Sequence, residues 1–290
     1  MGFFDQLSSF ITGRMNVSTR FALLREAISG TMSKFYMARD LRSDEVVGLK
    51  ILDREKTAAF EARFKGASKP SEGEIGMMLN HPRIARTYEC GLTTDGSPYV
   101  VMEFLEGAGM NSLLVARDAH LDGRRVRFIR EAAEAVAAVH AAGFIHRDVC
   151  PRNFLLTGDG EHVKLTDFGL TVPATPPFMQ PGIRTGTPAY MAPELVRRQA
   201  TDQRVDIFAF GVTAYEICTF ELPWPRGDGT GLAAMSHNQP PTDIRRYCPK
   251  IDIALARAIH SCIEPDLDKR CRSIERFLTK IRVVRSEEMR

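Results

Sequence analysis

Three polar side chains near the middle of the chain, two carboxylates and one amide, are of types that could do chemistry. Asp148 and Asn153 lie five positions apart in a charged stretch that apolar residues border on both sides. Asp167 follows nineteen positions after Asp148 and begins a D-F-G sequence. Carboxylate and amide oxygens suit Mg²⁺. The six cysteines show no C-x-x-C spacing, so neither zinc nor redox chemistry is indicated.

Residues 146–153 and 167–169 together resemble the catalytic loop H-R-D-x-x-x-x-N and the D-F-G motif of protein kinases. The resemblance implies phosphoryl transfer, in which a protein mainly positions the reactants and neutralises negative charge. It implies that Asp148 accepts or orients the proton of the substrate hydroxyl. It also implies that Asn153 and Asp167 bind Mg²⁺, which bridges the phosphates of ATP.

A strand that ends in a lysine supplies the next part of the resemblance. Residues 47–50 are similar to the V-A-I-K strand of kinases, which implies that Lys50 reaches the α- and β-phosphates. A carboxylate on a helix must hold such a lysine in place. Glu72, nine residues before His81, has the spacing of the family, and Glu74 is the alternative.

The resemblance also predicts the surroundings of the nucleotide. The loop that covers the phosphates aligns with residues 28–35 and keeps only the middle glycine, Gly30, so we expect a stiffer loop and weaker nucleotide binding. Phe35 would lie above the adenine and Leu155 below it, while Gly48, where the family has alanine, leaves more room over the ring. The other residues predicted to contact ATP are Ile28, Met102, Glu103 and Leu105.

Cys150 departs from the pattern, because Ser/Thr kinases usually have a lysine at this position. A neutral thiol cannot replace that positive charge, and a thiolate would have the wrong sign. Arg152 follows two residues later, at the offset of the arginine in the H-R-D-L-A-A-R-N loop of tyrosine kinases. We therefore predict that Arg152 supplies the missing cation.

The segment that leads away from the D-F-G sequence indicates the acceptor. Residues 186–191 are very similar to the G-T-P-x-Y-x pattern of Ser/Thr kinases, in which Thr187 would hydrogen-bond near Asp148 and help to seat a Ser or Thr hydroxyl. Three threonines of this segment are candidate phosphorylation sites that Arg147 could pair with, and Thr185 is the first choice. The other two candidates are Thr171 and Thr175.

Two further motifs imply structural support. Residues 192–194 resemble the A-P-E motif, whose Glu194 needs a buried cation because an unpaired buried carboxylate is costly. Arg270 occupies the matching late position. Asp206, with Gly211 five residues later, resembles a D-x-x-x-x-G helix that fixes the backbone of the catalytic loop, and His146 would be structural too.

The elements that must position these residues divide the chain into two parts. Strand-like runs dominate residues 20–52 and 99–104, and helical periodicity dominates from about residue 110 onward. The expected fold is α+β and bilobal, with a small β-rich N-lobe and a larger, mainly helical C-lobe. We expect a kinase domain over residues 20–284, with the N-lobe to about 103, a hinge at 103–109 and the C-lobe from 110. A cleft between two such lobes is a natural small-molecule site.

The two ends of the chain and its composition lead to further expectations. Residues 1–19 form an N-terminal extension whose apolar residues share one helical face, and residues 285–290 form a tail. We expect the extension to pack on protein rather than lie on a membrane, since few cations are near it. The net charge of +3 does not favour nucleic acid, no segment is apolar enough to span a membrane, and unpaired thiols suggest the cytoplasm.

The motifs together predict an ATP- and Mg²⁺-dependent protein kinase that phosphorylates Ser or Thr hydroxyls of protein substrates, itself included. A pseudokinase, acting as a non-catalytic binding or scaffold module, is the main alternative, and the missing glycines of the phosphate loop favour it. Retention of Lys50, Asp148, Asn153 and Asp167 argues against it. A kinase of small molecules is a third reading, which residues 186–188 disfavour.

Overall fold

The computed structural model describes residues 14–29, 32–64, 67–224 and 239–285, apart from the side chains of residues 27–29. The chain divides into two compact units. The first unit comprises Met1–Asn80 and Ala85–Leu105, and the second comprises His81–Ile84 and Glu106–Arg290. Within the described residues, no helix is long and apolar enough to cross a membrane.

The first unit is built on an antiparallel five-stranded sheet with strand order β1-β2-β3-β5-β4. Alternate residues of each strand face opposite sides of a sheet, and this chain uses both sides. Leu49 and Val101 pack in one apolar cluster, whereas Val100 and Met102 pack in another. The strands are β1 (Phe21–Ser29), β2 (Ser33–Asp40), β3 (Val46–Leu52), β4 (Thr87–Leu92) and β5 (Pro98–Glu103).

The described part of this unit has three helices: α1 (Val17–Arg20), α2 (Arg54–Glu61) and α3 (Glu72–Met78). Helix α3 begins with a capping box in which Ser71 and Glu74 each satisfy the other's backbone N–H. Its Gly73 lies so close to β4 that a Cβ there would be 2.2 Å from the Cβ of Cys90. Gly73 therefore lets α3 pack tightly on the sheet.

The second unit is mainly helical. Its longest described elements are α5 and α7, and every residue of α7 after Arg204 is buried. Among the residues that the structure describes, its α-helices are α4 (Met110–Ala116), α5 (Arg125–Ala141), α6 (Pro193–Val196), α7 (Arg204–Thr219), α8 (Ile253–Cys262) and α9 (Ile274–Ile281). Short strands β6 (Phe144–Ile145) and β9 (Val172–Pro173) pair, as do β7 (Phe154–Leu156) and β8 (Val163–Leu165).

A buried ion pair joins α6 to the turn before α9. Arg270 donates two hydrogen bonds to Glu194, at 2.6 Å and 3.0 Å, and both side chains are almost completely buried. A bidentate arginine–carboxylate pair is among the stronger charged contacts, and removal of one partner leaves a buried charge uncompensated. The cation expected for Glu194 is thus Arg270.

Several expectations fall wholly or partly on residues that the structure does not describe. Residues 1–13, Gly30 and residues 286–290 lie outside the described part, as does the side chain of Ile28. The sequence did not predict β4. Strand β4 is an edge strand of mixed polarity that pairs with the next strand of the chain, β5, and packs against α3.

Candidate active site

The first group of candidate residues lies in the β-rich unit, around Lys50 on β3. The Nζ atom of Lys50 is 2.5 Å from Oε1 of Glu72 on α3, and only 11% and 9% of the two side chains are exposed. Glu74 instead accepts a hydrogen bond from the backbone of Ser71 at 2.7 Å. Of the two carboxylates considered, Glu72 therefore pairs with Lys50, and Glu74 caps the helix.

Aromatic packing surrounds the residues predicted to contact adenine in this unit. A Cβ on Gly48 would lie 2.6 Å from the ring of Phe35 and 3.3 Å from Cγ of Met102. The room that we expected Gly48 to leave open is therefore taken by Phe35, so this expectation was wrong. The Phe35 ring also stacks on that of Phe104, with centroids 6.3 Å apart.

Glu103 and Leu105, the other two residues of this unit predicted to contact ATP, lie at its C-terminal end. The backbone N–H of Glu103 donates to the carbonyl of Arg86 at 2.8 Å, and its carboxylate accepts from the N–H of Arg86 at 3.1 Å. Leu105 packs against the apolar cluster that contains Met102. The segment is thus fixed to the strand beside it by backbone and side-chain contacts.

The second group lies in the helical unit, where Asp206 of α7 organises the catalytic loop, residues 146–153. Its carboxylate accepts hydrogen bonds from the backbone N–H groups of His146 and Arg147, at 2.7 Å and 2.8 Å, and contacts Nε2 of His140 at 2.9 Å. Burial alone would raise the pKa of Asp206, but the contact with His140 and the backbone donors hold it below its usual range. Arg147 has a left-handed backbone, with φ of 68°, and these hydrogen bonds hold it there.

Asp148 is the centre of a local hydrogen-bond network. Its Oδ1 accepts from the backbone N–H of Thr187 at 2.8 Å and from the Thr187 hydroxyl at 2.7 Å. Its Oδ2 accepts from the side-chain amide of Asn153 at 3.0 Å, and the same amide donates to the Asp148 carbonyl at 2.7 Å. The structure therefore brings together three residues that the sequence assigned to one site.

Asp167 is placed beside this network through the backbone. The N–H of Thr166, one residue earlier, donates to the carbonyl of Asn153 at 2.8 Å. Asp167 itself is exposed and has a left-handed backbone, with φ of 66°. Phe168 is buried and its ring meets His146 edge-on, with centroids 5.5 Å apart. The apolar neighbour thus anchors the motif while the carboxylate remains accessible.

Leu155, the residue expected below the adenine, lies on β7 in the same unit. It is half-buried, and its side chain lies next to Gly109, with which it forms an isolated bridge. The loop that leads into β7 is the one that holds Asn153, so Leu155 is fixed two residues from a predicted metal ligand.

Cys150 lies against the network rather than in solvent. It is 1% exposed, and its Sγ is 3.6 Å from the Thr187 hydroxyl and 4.0 Å from Oδ1 of Asp148. Burial raises the pKa of Cys150 to about 12, and the charge of Arg152 opposes this shift only in part. Arg152 is exposed, and within the described residues its side chain has no hydrogen bond or ion pair.

Two of the three candidate phosphorylation sites in the activation segment, residues 167–194, are buried. Thr185 is only 7% exposed and its hydroxyl has no partner among the described residues, while the buried Thr171 hydroxyl donates to the carbonyl of His146 at 3.5 Å. Thr175 alone is exposed. Arg147, whose pKa burial lowers to about 10, donates to the carbonyl of Phe178.

Comparisons with known proteins agree with this geometry. The model of the protein kinase domain family matches residues 24–280. The chain is 31% identical over 277 residues to the Serine/threonine-protein kinase pkn3 of Myxococcus xanthus, which covers 90% of this chain and 49% of that protein. It is 32% identical to the Serine/threonine-protein kinase PknL of Mycobacterium tuberculosis, over 81% of this chain and 57% of the other.

The Serine/threonine-protein kinase PknA of Mycobacterium tuberculosis is 34% identical over 235 residues, which are 78% of this chain and 53% of PknA. The chain thus spans about half the length of the curated relatives it matches. The family match covers most of the chain and includes both groups of candidate residues. The chain belongs to the Hanks-type Ser/Thr protein kinase family.

Proposed function

We propose that the chain is an active protein kinase that transfers the γ-phosphoryl group of ATP to Ser or Thr hydroxyls, with Mg²⁺ as the metal. The observation that carries the proposal is the network at Asp148, in which Thr187 and Asn153 both donate to the carboxylate. Two side chains from two segments thus converge on one carboxylate, and all three residues are of the types that phosphoryl transfer needs. A pseudokinase has no need of such a constellation.

The residues present fit Mg²⁺ and nucleotide phosphates. The amide nitrogen of Asn153 donates to Asp148, so its amide oxygen is the atom suited to a metal, and Asp167 offers an accessible carboxylate. Mg²⁺ in such sites keeps few protein ligands and takes the rest from phosphates and water. The described residues contain no cluster of three or more His, Cys, Asp or Glu side chains that could hold a metal by themselves. When bound, the ion would neutralise charge on the phosphates.

The chain's own residues then have distinct tasks. Lys50, held by Glu72, would neutralise charge on the α- and β-phosphates as a point charge. Asp148 would orient the acceptor hydroxyl and accept its proton, and Thr187, bonded to the same carboxylate, would help to seat that hydroxyl. Arg152 would supply the cation that the family usually places at position 150. Protein substrates, the chain itself included, are the proposed acceptors.

Localisation in the cytoplasm remains part of this proposal. All six cysteines are free, and five of them are buried. Unpaired thiols persist in a reducing compartment.

The proposal is tested by incubation of the purified chain with labelled ATP, Mg²⁺ and a generic basic protein, beside Asp148→Asn. The expected result is transfer to Ser or Thr of the substrate or of the chain, lowered at least 10²-fold by the substitution. Absence of transfer to any acceptor, in protein of native stability, would favour the pseudokinase. Transfer that Asp148→Asn leaves unchanged would reject the assignment of the base.

A further inference from the structure

The first unit contains a cavity of about 520 Å³ that the proposed chemistry does not use. Helix α2, the first turn of α3 and the neighbouring ends of β4 and β5 border it, and we name it the α2–α3 cavity. Leu52, Ala58, Leu92 and Val100 supply apolar walls. Its volume lies within the range of about 300–1,000 Å³ that is usual for ligand sites. Of the residues assigned to catalysis, only Glu72 lines it.

The apolar surface continues outside the cavity. Leu92 is 42% exposed and Met77 on α3 is 53% exposed, and Sδ of Met77 lies 3.7 Å from Sγ of Cys90, which also lines the cavity. On the cavity wall, the buried hydroxyl of Thr57 has no hydrogen-bond partner among the described residues. Contiguous exposed apolar surface beside a concave site is typical of a docking site.

The path of the chain indicates which segment can reach this surface. Met15 forms a parallel bridge with Thr93, its N–H donates to the carbonyl of Leu92, and its carbonyl accepts from Thr94. In a parallel pair, the residues that precede Met15 run in the same direction as those that precede Thr93. That direction leads along β4, an edge strand, toward Cys90. Arg14 already lines the cavity.

The sequence before Arg14 has the matching character. Phe3, Phe4, Leu7, Phe10 and Ile11 share one helical face, and Asp5 is the one charged side chain among residues 1–13. A membrane-surface helix usually carries cations on its polar face, and this segment has none. We propose that residues 1–13 dock on their own first unit, with the apolar face in the α2–α3 cavity and Leu7 and Phe10 at its walls.

The docked segment would act on the catalytic pair through α3, an effect that rests on the proposed function. The first turn of α3, residues 72–74, forms part of the cavity wall. The same turn carries Glu72, whose carboxylate holds Lys50 at 2.5 Å. Because Gly73 leaves no space between α3 and β4, a segment that covers both elements restrains the position of Glu72. Docking would therefore favour the paired state of Lys50.

Cross-linking to the native Cys90 tests the docking without any need for kinase activity. Leu7→Cys and Phe10→Cys place a thiol on the apolar face, and Ser9→Cys places one on the opposite face as the matched control. Cys90 is half-exposed, whereas the other five cysteines are buried. Since burial raises the pKa of the Cys90 thiol, oxidation with copper phenanthroline is done at mildly alkaline pH, and Cys90→Ser serves as the background.

The expected result is an intramolecular disulfide from position 7 or 10 to Cys90, at least ten-fold above the yield from position 9, identified by peptide mass mapping of the monomer. Equal yields from all three positions, or no product, would overturn the docking. A disulfide that forms only between two chains would assign the cavity to a second copy instead. Binding of residues 1–13 to phosphatidylcholine–phosphatidylglycerol vesicles without the cross-link would assign the segment to membranes.

Hydrogen exchange tests the same contact in protein that has only its native cysteines. Phe10→Asp should raise the amide exchange rate in residues 72–78 and 87–92 at least ten-fold, and Ser9→Asp should leave it unchanged. Identical rates in both variants would contradict the docking. The turnover of Phe10→Asp tests the coupling alone. Unchanged turnover together with a formed cross-link would reject the effect on Glu72 and leave the docking and the kinase activity standing.

Discussion

At the scale of single residues, Cys150 removes a cation from the catalytic loop, and Arg152 is the nearest cationic side chain in the sequence that can return it. The thiol is buried against Thr187 and its pKa is raised to about 12, so it remains neutral. Arg152 is exposed, and its charge is close enough to oppose that shift. A free guanidinium beside the loop is what a phosphate contact would require.

Arg152→Ala is expected to lower kcat by about 10²-fold or more, because one preorganised charge near the developing negative charge has that effect. The KM for ATP and the stability should hardly change, since the side chain is exposed and bonded to no described residue. Steady-state kinetics with a protein substrate measure this. In the same background, Cys150→Lys should restore part of kcat. Normal turnover in Arg152→Ala would show that the cation comes from elsewhere.

Glu72 and Glu74, two residues apart on α3, offer a matched pair of carboxylates. Glu72→Gln removes the partner of Lys50 and should lower kcat/KM for ATP by at least 10²-fold, since the lysine loses the group that positions it. Glu74→Gln keeps a side chain that can complete the capping box, so it should change both the free energy of unfolding and the activity only slightly. Urea unfolding and kinetics on both variants separate the two roles. Equal loss of activity would contradict them.

At the scale of elements, α7 acts as a buried support whose first turn holds the catalytic loop. Asp206 is completely buried and accepts the N–H groups of His146 and Arg147. Its pKa in the folded chain is below the usual value, so the carboxylate stabilises the fold above the unfolded pKa of about 3.9. That contribution is lost as the pH falls through the lower, folded pKa. Protonation of the Asp206 carboxylate at low pH should therefore destabilise the catalytic loop.

Asp206→Asn should thus reduce the loss of unfolding free energy that the protein shows as the pH falls in the acid range. Between neutral pH and about pH 4 the variant is expected to be less stable by a roughly constant amount, because Asn offers only one oxygen to two amides. Below about pH 4 the difference should shrink, as the wild-type carboxylate takes up its proton. Thermal unfolding across this pH range, with Asp268→Asn as an exposed control, measures it. If the stability difference between the wild type and Asp206→Asn grew as the pH fell, the stabilising role of the Asp206 carboxylate would be disproved.

The elements also show what the sequence could and could not predict. The order of the motifs identified Lys50, Asp148 and Asp167 as candidates, and the D-x-x-x-x-G pattern predicted a helix at Asp206, because both signals are local. Strand β4 was missed, since its strand character comes from pairing with β5 and from contact with α3. The burial of Thr185 and the filling of the space at Gly48 by Phe35 also depend on packing in the folded chain.

At the scale of the whole molecule, the residues assigned to the nucleotide come from two units, each with its own core. A ligand that binds only the folded chain stabilises it by mass action, by about 2.7 kcal/mol at a hundred-fold excess over Kd. ATP with Mg²⁺ is therefore expected to raise the unfolding temperature by several degrees. ATP with a chelator should raise it much less, because Asn153 and Asp167 then have no cation to share with the phosphates.

Asp167→Asn should abolish most of the Mg²⁺-dependent part of this shift, and Lys50→Met most of the part that remains with a chelator, since Lys50 would meet the phosphates directly. Asp159→Asn, in the turn between β7 and β8, is the matched surface control and should behave as wild type. Differential scanning calorimetry over a series of ATP concentrations yields Kd for each variant. A shift of equal size with and without Mg²⁺ would argue that the chain binds nucleotide without the metal site, as a scaffold module could. No shift at saturating ATP, in a chain that still unfolds cooperatively, would argue against the nucleotide site itself.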